Sequence, residues 1–239
     1  MRRLVEDLER TFAGITAGNY PGEWDEDHIT FSLMREMRTL FDFRRIKYKG
    51  FEKIVHWLSY KNKGRTETLF GDISLLINIQ FSSGERLTGV AFLEAKRDNA
   101  RGNFEEIRIP QLERIVQHSP YAHLLLYIHH GQTLPLKFPD DAYWPSHIWA
   151  SPINTALPKL RQLRPVDNSN VLRVSLPFSM LLTSRFFWGL DLDYREESFQ
   201  LALKGTPNLG SPQYLGIINV FYDGQGPVAV ALPDDWEKI

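Results

Sequence analysis

Residues 87–97 read Leu-Thr-Gly-Val-Ala-Phe-Leu-Glu-Ala-Lys-Arg, an apolar strand pattern that ends on charge. Strand side chains alternate faces, so Glu94 and Lys96 point the same way at the strand's end, past Val90 and Phe92. Residues 68–81, which include Phe70-Gly71-Asp72-Ile73, form a second strand, and Ser82-Ser83-Gly84-Glu85 joins the two as a turn. Position 83 lies midway between Asp72 and Glu94, so hairpin pairing sets these two carboxylates side by side. Carboxylates that meet at one point repel and persist only with a cation or a shared proton. With oxygen ligands alone, Mg²⁺ or Mn²⁺ is the natural guest. A lysine within reach can position or deprotonate a water for attack on phosphorus.

Outward from this hairpin, Leu4, Val5, Leu8 and Phe12 recur at helical spacing and predict a helix over 2–13, followed by a loop at 14–22. A second helix starts near Asp25 and carries Ile29, Leu33, Met37 and Leu40 to about Phe41. Residues 54–60 read as a strand and Lys61-Asn62-Lys63-Gly64 as a turn, which completes a three-strand antiparallel meander. A helix from Pro110 carries Gln111, Leu112, Ile115 and Val116, and the apolar run 122–128 fits a strand buried on both faces. Three regions are expected: a core with its N-terminal helix over 1–131, a proline-rich structured excursion over 132–165, and 166–239 as an elaboration of the same domain or a small second lobe. The last holds a strand at 171–176, a helix at 178–190, and a hairpin of 214–222 with 228–232 about Asp223-Gly224-Gln225-Gly226.

The composition excludes much. The 239 residues carry 43% hydrophobic and 24% charged side chains, an ordinary globular balance. There is no cysteine, so disulfides, thiolate zinc sites, iron–sulfur clusters and cysteine nucleophiles are excluded. Met1-Arg2-Arg3 is followed by Leu4-Val5-Glu6-Asp7, which is no signal peptide, and no apolar run is long enough to span a membrane; a cytoplasmic protein is expected. The net charge of −1 hides an asymmetry: residues 35–65 hold ten basic side chains against three acids. Arginines outnumber lysines 18 to 10, and the Arg fork suits phosphate. A basic block on a near-neutral chain suggests a polyanion partner at one face.

Asp72, the triplet Glu94-Ala95-Lys96, the order helix–meander–helix–strand around them, and Gln111 in Ile109-Pro110-Gln111-Leu112-Glu113-Arg114-Ile115 together resemble the PD-(D/E)XK nuclease superfamily. An acid-x-lysine triplet alone arises by chance about once in such a chain, so the order of elements, the buried charge and the glutamine carry the resemblance. It covers about residues 23–130. It implies an α/β (α+β) fold with a restriction-endonuclease-like core, a mixed central sheet flanked by helices, and a C-terminal α+β elaboration. It implies a Mg²⁺- or Mn²⁺-dependent nuclease acting most readily on DNA, in a restriction, repair or defence setting. Asp72 and Glu94 would bridge the metal, with the Ala95 carbonyl as a third ligand. Lys96 would activate or orient water, and Gln111 would support Lys96 or a phosphate. Family members often add an acid from the first helix. Glu26 is the choice here, because it shares a face with Ile29, Thr30, Leu33 and Met37; Glu23 and Asp27 are its rivals. Gly71 replaces the namesake proline. Arg35, Arg38, Arg44, Arg45 and Lys47 are expected to hold the nucleic-acid backbone, and Arg97 and Arg101 to touch phosphates past the site.

Two other classes stand beside the nuclease: a silent nuclease-like fold that grips nucleic acid, and an assembly subunit. No G-x-x-x-x-G-K, G-x-G-x-x-G or G-x-S-x-G motif occurs. His129-His130, with His118 and His123 nearby, matches no zinc spacing. Tyr20, Trp24, Trp57 and Tyr60 can stack on bases or pack in the core. With no ligand-sensing motif in the chain, restraint is expected from a protein partner or self-assembly. The expected surface is the second half, where Trp144, Trp149, six prolines and Phe186-Phe187-Trp188 lie; of the last three aromatics, one is expected to be exposed.

Overall fold

Ile73–Gln80 is buried at every position, and a strand without an exposed face must lie inside a sheet covered on both sides. The computed structural model describes residues 2–48, 50–64, 70–104, 107–133, 145–162, 166, 168–205 and 210–239. Along the chain run α1 (Arg2–Asn19), α2 (Glu26–Leu40), β1 (Arg44–Tyr48), β2 (Phe51–Asn62), β3 (Ile73–Gln80), β4 (Arg86–Arg97), α3 (Ile109–His118), β5 (His123–Thr133), β6 (Pro145–Pro152), α4 (Ile153–Leu160), α5 (Asn168–Val171), β7 (Leu176–Pro177), α6 (Phe178–Ser184), α7 (Glu196–Lys204), β8 (Tyr214–Phe221) and β9 (Trp236–Lys238). The strands form one sheet in the order β1-β2-β8-β3-β4-β5-β6-β7, with β9 against β2. β8 pairs with β3, and β4 with β5, in parallel; the other pairs are antiparallel.

Helices cover both faces of this mixed α/β sheet. Leu8 and Phe12 of α1, Ile29, Leu33 and Met37 of α2 and Leu181 of α6 pack with Leu75, Ile77, Leu93 and Ile218. Leu112 and Ile115 of α3, Ile153 of α4 and Ala202 of α7 pack with Leu76, Phe92, Leu124 and Leu215. Alternation along β3 sends Leu75 and Leu76 to opposite layers.

The expected β3–β4 pairing is found in the register set by the turn: Ile73 faces Leu93 and Gln80 faces Arg86. The expected three-strand meander is not. β8 inserts between β2 and β3, so β2 pairs with β8 and with β1, a strand the sequence reading lacked. All eight residues of β8 are buried, and only a central position hides both faces. Both edges of β8 are thereby used, so 228–232 forms no hairpin strand with it; Val228 N instead donates to the Asn219 side chain, at 3.0 Å.

Other expectations also shift. The helix predicted over 2–13 runs to Asn19 through the predicted loop, because Ile15 and Asn19 continue the buried stripe and Asn19 Nδ2 bonds the Ile15 carbonyl at 2.8 Å. The strand predicted at 171–176 is mostly helical turn, with Ser175 Oγ bonded back to Val171 O at 2.9 Å; only Leu176 and Pro177 pair with β6. The helix predicted at 178–190 breaks after Ser184 into a short 3₁₀ turn, Phe186–Trp188. The described part of the excursion is regular, namely β6 and α4. Trp144 and Pro135, Pro139 and Pro165 lie outside the described residues. Trp149, Phe186 and Phe187 are buried, while Trp188 is 37% exposed and lies under Lys53 Nζ, 3.8 Å from its ring centre. No helix among the described residues is long and apolar enough to cross a membrane.

Candidate active site

The site forms where the segment before β3 meets the end of β4. Gly71 makes this approach possible. Its φ is +116°, closed to proline, whose ring fixes φ near −65°. A Cβ there would stand 2.6 Å from the Leu93 carbonyl oxygen. Glycine at position 71 is therefore the residue this geometry requires. Directly after it, Asp72 Oδ2 accepts the Ala95 amide at 2.9 Å, and the β3–β4 register continued by one step brings Asp72 opposite Glu94.

Four of the expected residues converge with Asp72. Glu94 is 1% exposed, and its Oε1 receives both Lys96 Nζ and Gln111 Nε2, each at 2.7 Å. Its other oxygen, Oε2, is buried without a hydrogen-bond partner. Lys96 Nζ also donates to the Ala95 carbonyl at 2.7 Å and to Glu26 Oε2 at 3.3 Å. Glu26 reaches back through Oε1 to the Arg97 amide at 3.4 Å. The helix N-terminus that delivers Glu26 is capped by Asp25, which accepts from His28 N at 3.0 Å.

Of the three rival acids, Glu26 stands at Lys96. Asp27 is held elsewhere, by Lys61 Nζ at 3.0 Å, by Gln213 Nε2 at 2.5 Å and by the Tyr214 hydroxyl. Glu23 lines a groove of about 490 Å³ between α1 and α2, with Ile15, Phe31 and Arg35.

Burial pushes Glu94 up to about 7, assisted by the Asp72 charge and opposed by the Lys96 ammonium. Asp72 is likewise raised, first by burial, against Lys96 and the Ala95 N–H. Burial alone would lower Lys96, but Glu94, Glu26 and Asp72 outweigh it and hold its pKa above the usual lysine value. Two carboxyl groups that resist ionisation beside a secured ammonium make a site in want of positive charge.

Among the described residues, no group of three or more His, Asp and Glu stands close enough to hold a metal. The donor set nevertheless suits a hard divalent cation. Asp72, Glu94 and the Ala95 carbonyl offer only oxygen, Glu94 Oε2 lacks a partner, and Mg²⁺ commonly keeps several waters.

Residues that the sequence reading passed over complete the frame. The Gln213 and Tyr214 amides both donate to the Asp72 carbonyl, at 2.9 and 3.0 Å, while their side chains hold Asp27. The start of β8 thus ties the acid before β3 to the start of α2. Nothing local in Gln213-Tyr214 signals this role, because it depends on β8 entering the sheet beside β3.

The β1 part of the basic block lies apart. β1 is at the sheet edge, four strand spacings from β4, about 19 Å. Its charges have acidic partners: Arg44 with Asp7, Arg45 with Glu52 and Asp223, and Lys47 with Glu52. On α2, Arg35 pairs with Glu36, and Arg38 donates to an oxygen of the terminal residue Ile239. Arg97 ends β4 at the site, and Arg101 follows in the adjoining turn, exposed, with its amide on Asn99 Oδ1 at 2.8 Å.

No family model matches this chain, and neither the curated proteins nor the solved structures provide a match.

Proposed function

We propose that this protein is a metal-dependent nuclease of PD-(D/E)XK type, with a restriction-endonuclease-like core built on α2, β3, β4, α3 and β5, that hydrolyses phosphodiester bonds in DNA. One observation carries the reading. Asp72, Glu94, Lys96, Glu26 and Gln111, from four separate places in the chain, converge on one strand end, and one buried carboxylate oxygen there has no hydrogen-bond partner.

In this reading Asp72, Glu94 and the Ala95 carbonyl hold Mg²⁺ or Mn²⁺, which when bound supplies charge neutralisation and polarises the attacked phosphate. Gln111 orients the Glu94 carboxylate by its 2.7 Å hydrogen bond. Lys96, released from Glu94 Oε1 and the Ala95 carbonyl, orients the attacking water and steadies charge developing on phosphate oxygen. Glu26 keeps the ammonium near the strand end. Arg97 and Arg101 contact the phosphate backbone, since they adjoin the site.

Purified protein with Mg²⁺ or Mn²⁺ is offered plasmid, linear duplex, single-stranded DNA and RNA, beside Asp72→Ala, Glu94→Ala and Lys96→Ala. Each variant should keep its fold and lose cleavage by at least about 100-fold, the scale of a positioned proton-transfer group. Variants that cut at the wild-type rate sink the assignment.

A further inference from the structure

Two motifs left unused by the site meet in space. Tyr20 and Trp24 lie between the end of α1 and the start of α2, and His129-His130 lies on β5. The Tyr20 ring stacks on His129 with centroids 4.8 Å apart, and His130 lies 4.1 Å from His129 and 6.4 Å from Tyr20. His129 is therefore the corner of a nook with Tyr20 and His130 as its sides. Trp24 closes the back, edge-on to Tyr20 at 5.6 Å and to His129 at 6.1 Å.

The back of the nook is fixed. Asp98 is fully buried and accepts from both His129 Nδ1, at 2.8 Å, and the His129 amide, at 3.1 Å. Its carbonyl accepts the Trp24 indole N–H at 2.7 Å. His130 is exposed, and Tyr20 and Trp24 are partly so. The His129 Nε2 is buried and without a hydrogen-bond partner.

The nook adjoins the carboxylate site. Trp24 is two residues before Glu26, and Asp98 is two residues after Lys96, a reach of at most about 7 Å along each segment. Glu26 Oε1 and the Arg97 amide link those same two segments. A packed core does not need an exposed imidazole, nor a buried ring nitrogen left empty. A ligand with a flat π face answers the exposed and half-exposed rings.

We propose that this nook stacks an unpaired nucleobase from the nucleotide next to the attacked phosphate. The proposal rests on the nuclease reading and deepens it, because stacking on an unpaired base selects strand ends, flaps or single strands over intact duplex.

The test uses the Glu94→Gln protein, which binds without cutting, and oligonucleotides carrying the fluorescent base aminopurine in a single-stranded overhang. Stacking quenches its emission. Tyr20→Leu and His130→Ala, in that background, should each abolish the quench and weaken overhang binding about 5- to 150-fold, the range of one lost base–aromatic stack, with duplex affinity unchanged. His130 is exposed, so its variant should keep its melting temperature and separates stacking from fold. Quench and affinity unaltered in both variants overturn the proposal, and if the wild type still cuts DNA the nuclease reading stands without it. A wild type that cuts nothing, yet shows a quench that both variants lose, keeps the stacking site and removes the nuclease. Absence of any quench in the parent protein overturns the nook as well.

Discussion

The Lys96 ammonium lies 2.7 Å from Glu94 Oε1, while the other oxygen of that carboxylate is buried with no hydrogen-bond partner. The same ammonium bonds the Ala95 carbonyl at 2.7 Å, so it sits on two of the three groups proposed to hold a divalent cation. In this state the lysine itself supplies the positive charge the site requires.

Removing that charge should favour an external one. Lys96→Met should bind Mn²⁺ about 10-fold more tightly than the wild type, a change of about 1.4 kcal/mol, while cleavage is lost. Calorimetric titration without nucleic acid reads the affinity. Weaker Mn²⁺ binding in the variant would instead make the ammonium a supporting group rather than a competitor.

Stability should fall as pH rises. Glu94 sits at about 7 in the fold against an ordinary 4.5, so the folded state holds that proton more tightly. Its contribution is complete below pH 4.5 and is lost as pH rises through 7, on the order of 3 kcal/mol. Glu9, buried between α1 and α6 with its Oε1 on Ser179, is raised to about 7 by burial and acts in the same window. Urea unfolding from pH 5 to 8 should show the decline, and Glu94→Gln and Glu9→Gln should each flatten part of it. Added Mg²⁺ should stabilise more at pH 8 than at pH 5. A slope unchanged in both variants would refute the electrostatic account.

Gly71→Ala should cost about 1–3 kcal/mol and lower cleavage at least about 10-fold, because the new Cβ strikes the Leu93 carbonyl and pushes Asp72 off the Ala95 amide. Gly84→Ala is the control. Its φ is +89°, with open space around the added atom, so it should lose some stability and keep cleavage. Equal activity losses in the two would separate Gly71 from the site.

Salt dependence should locate the phosphate contacts. Arg97→Glu and Arg101→Glu should each reduce the salt slope of duplex binding by about 0.9 and weaken all sequences alike. Charge reversal at Arg44, Arg45 and Lys47 should change the slope less, since β1 lies at the sheet edge, four strands from β4. A larger loss from the β1 cations would move the nucleic-acid face to the sheet edge.

Local pattern carried the hairpin. The apolar alternation of 87–97 and the turn at 82–85 were enough for the β3–β4 register and the meeting of Asp72 with Glu94, because pairing across a short turn follows from counting residues. The buried side of α2 and the choice of Glu26 over Glu23 and Asp27 followed from 3.6-residue periodicity, because Glu26 shares a face with Ile29, Thr30, Leu33 and Met37. What sequence could not supply was long-range pairing. Tyr214–Phe221 reads as a strand, but its place between β2 and β3 depends on segments about 140 to 170 residues distant, whose partner choice leaves no local mark. The same holds for Gln213 and Tyr214 at Asp27, and for Tyr20 beside His129, where side chains far apart in the chain meet only after the sheet has closed. Tertiary structure likewise decided the partners of the basic block: Asp7 and Asp223 are remote in sequence, and folding brings them against Arg44 and Arg45, turning a linear run of charge into local ion pairs.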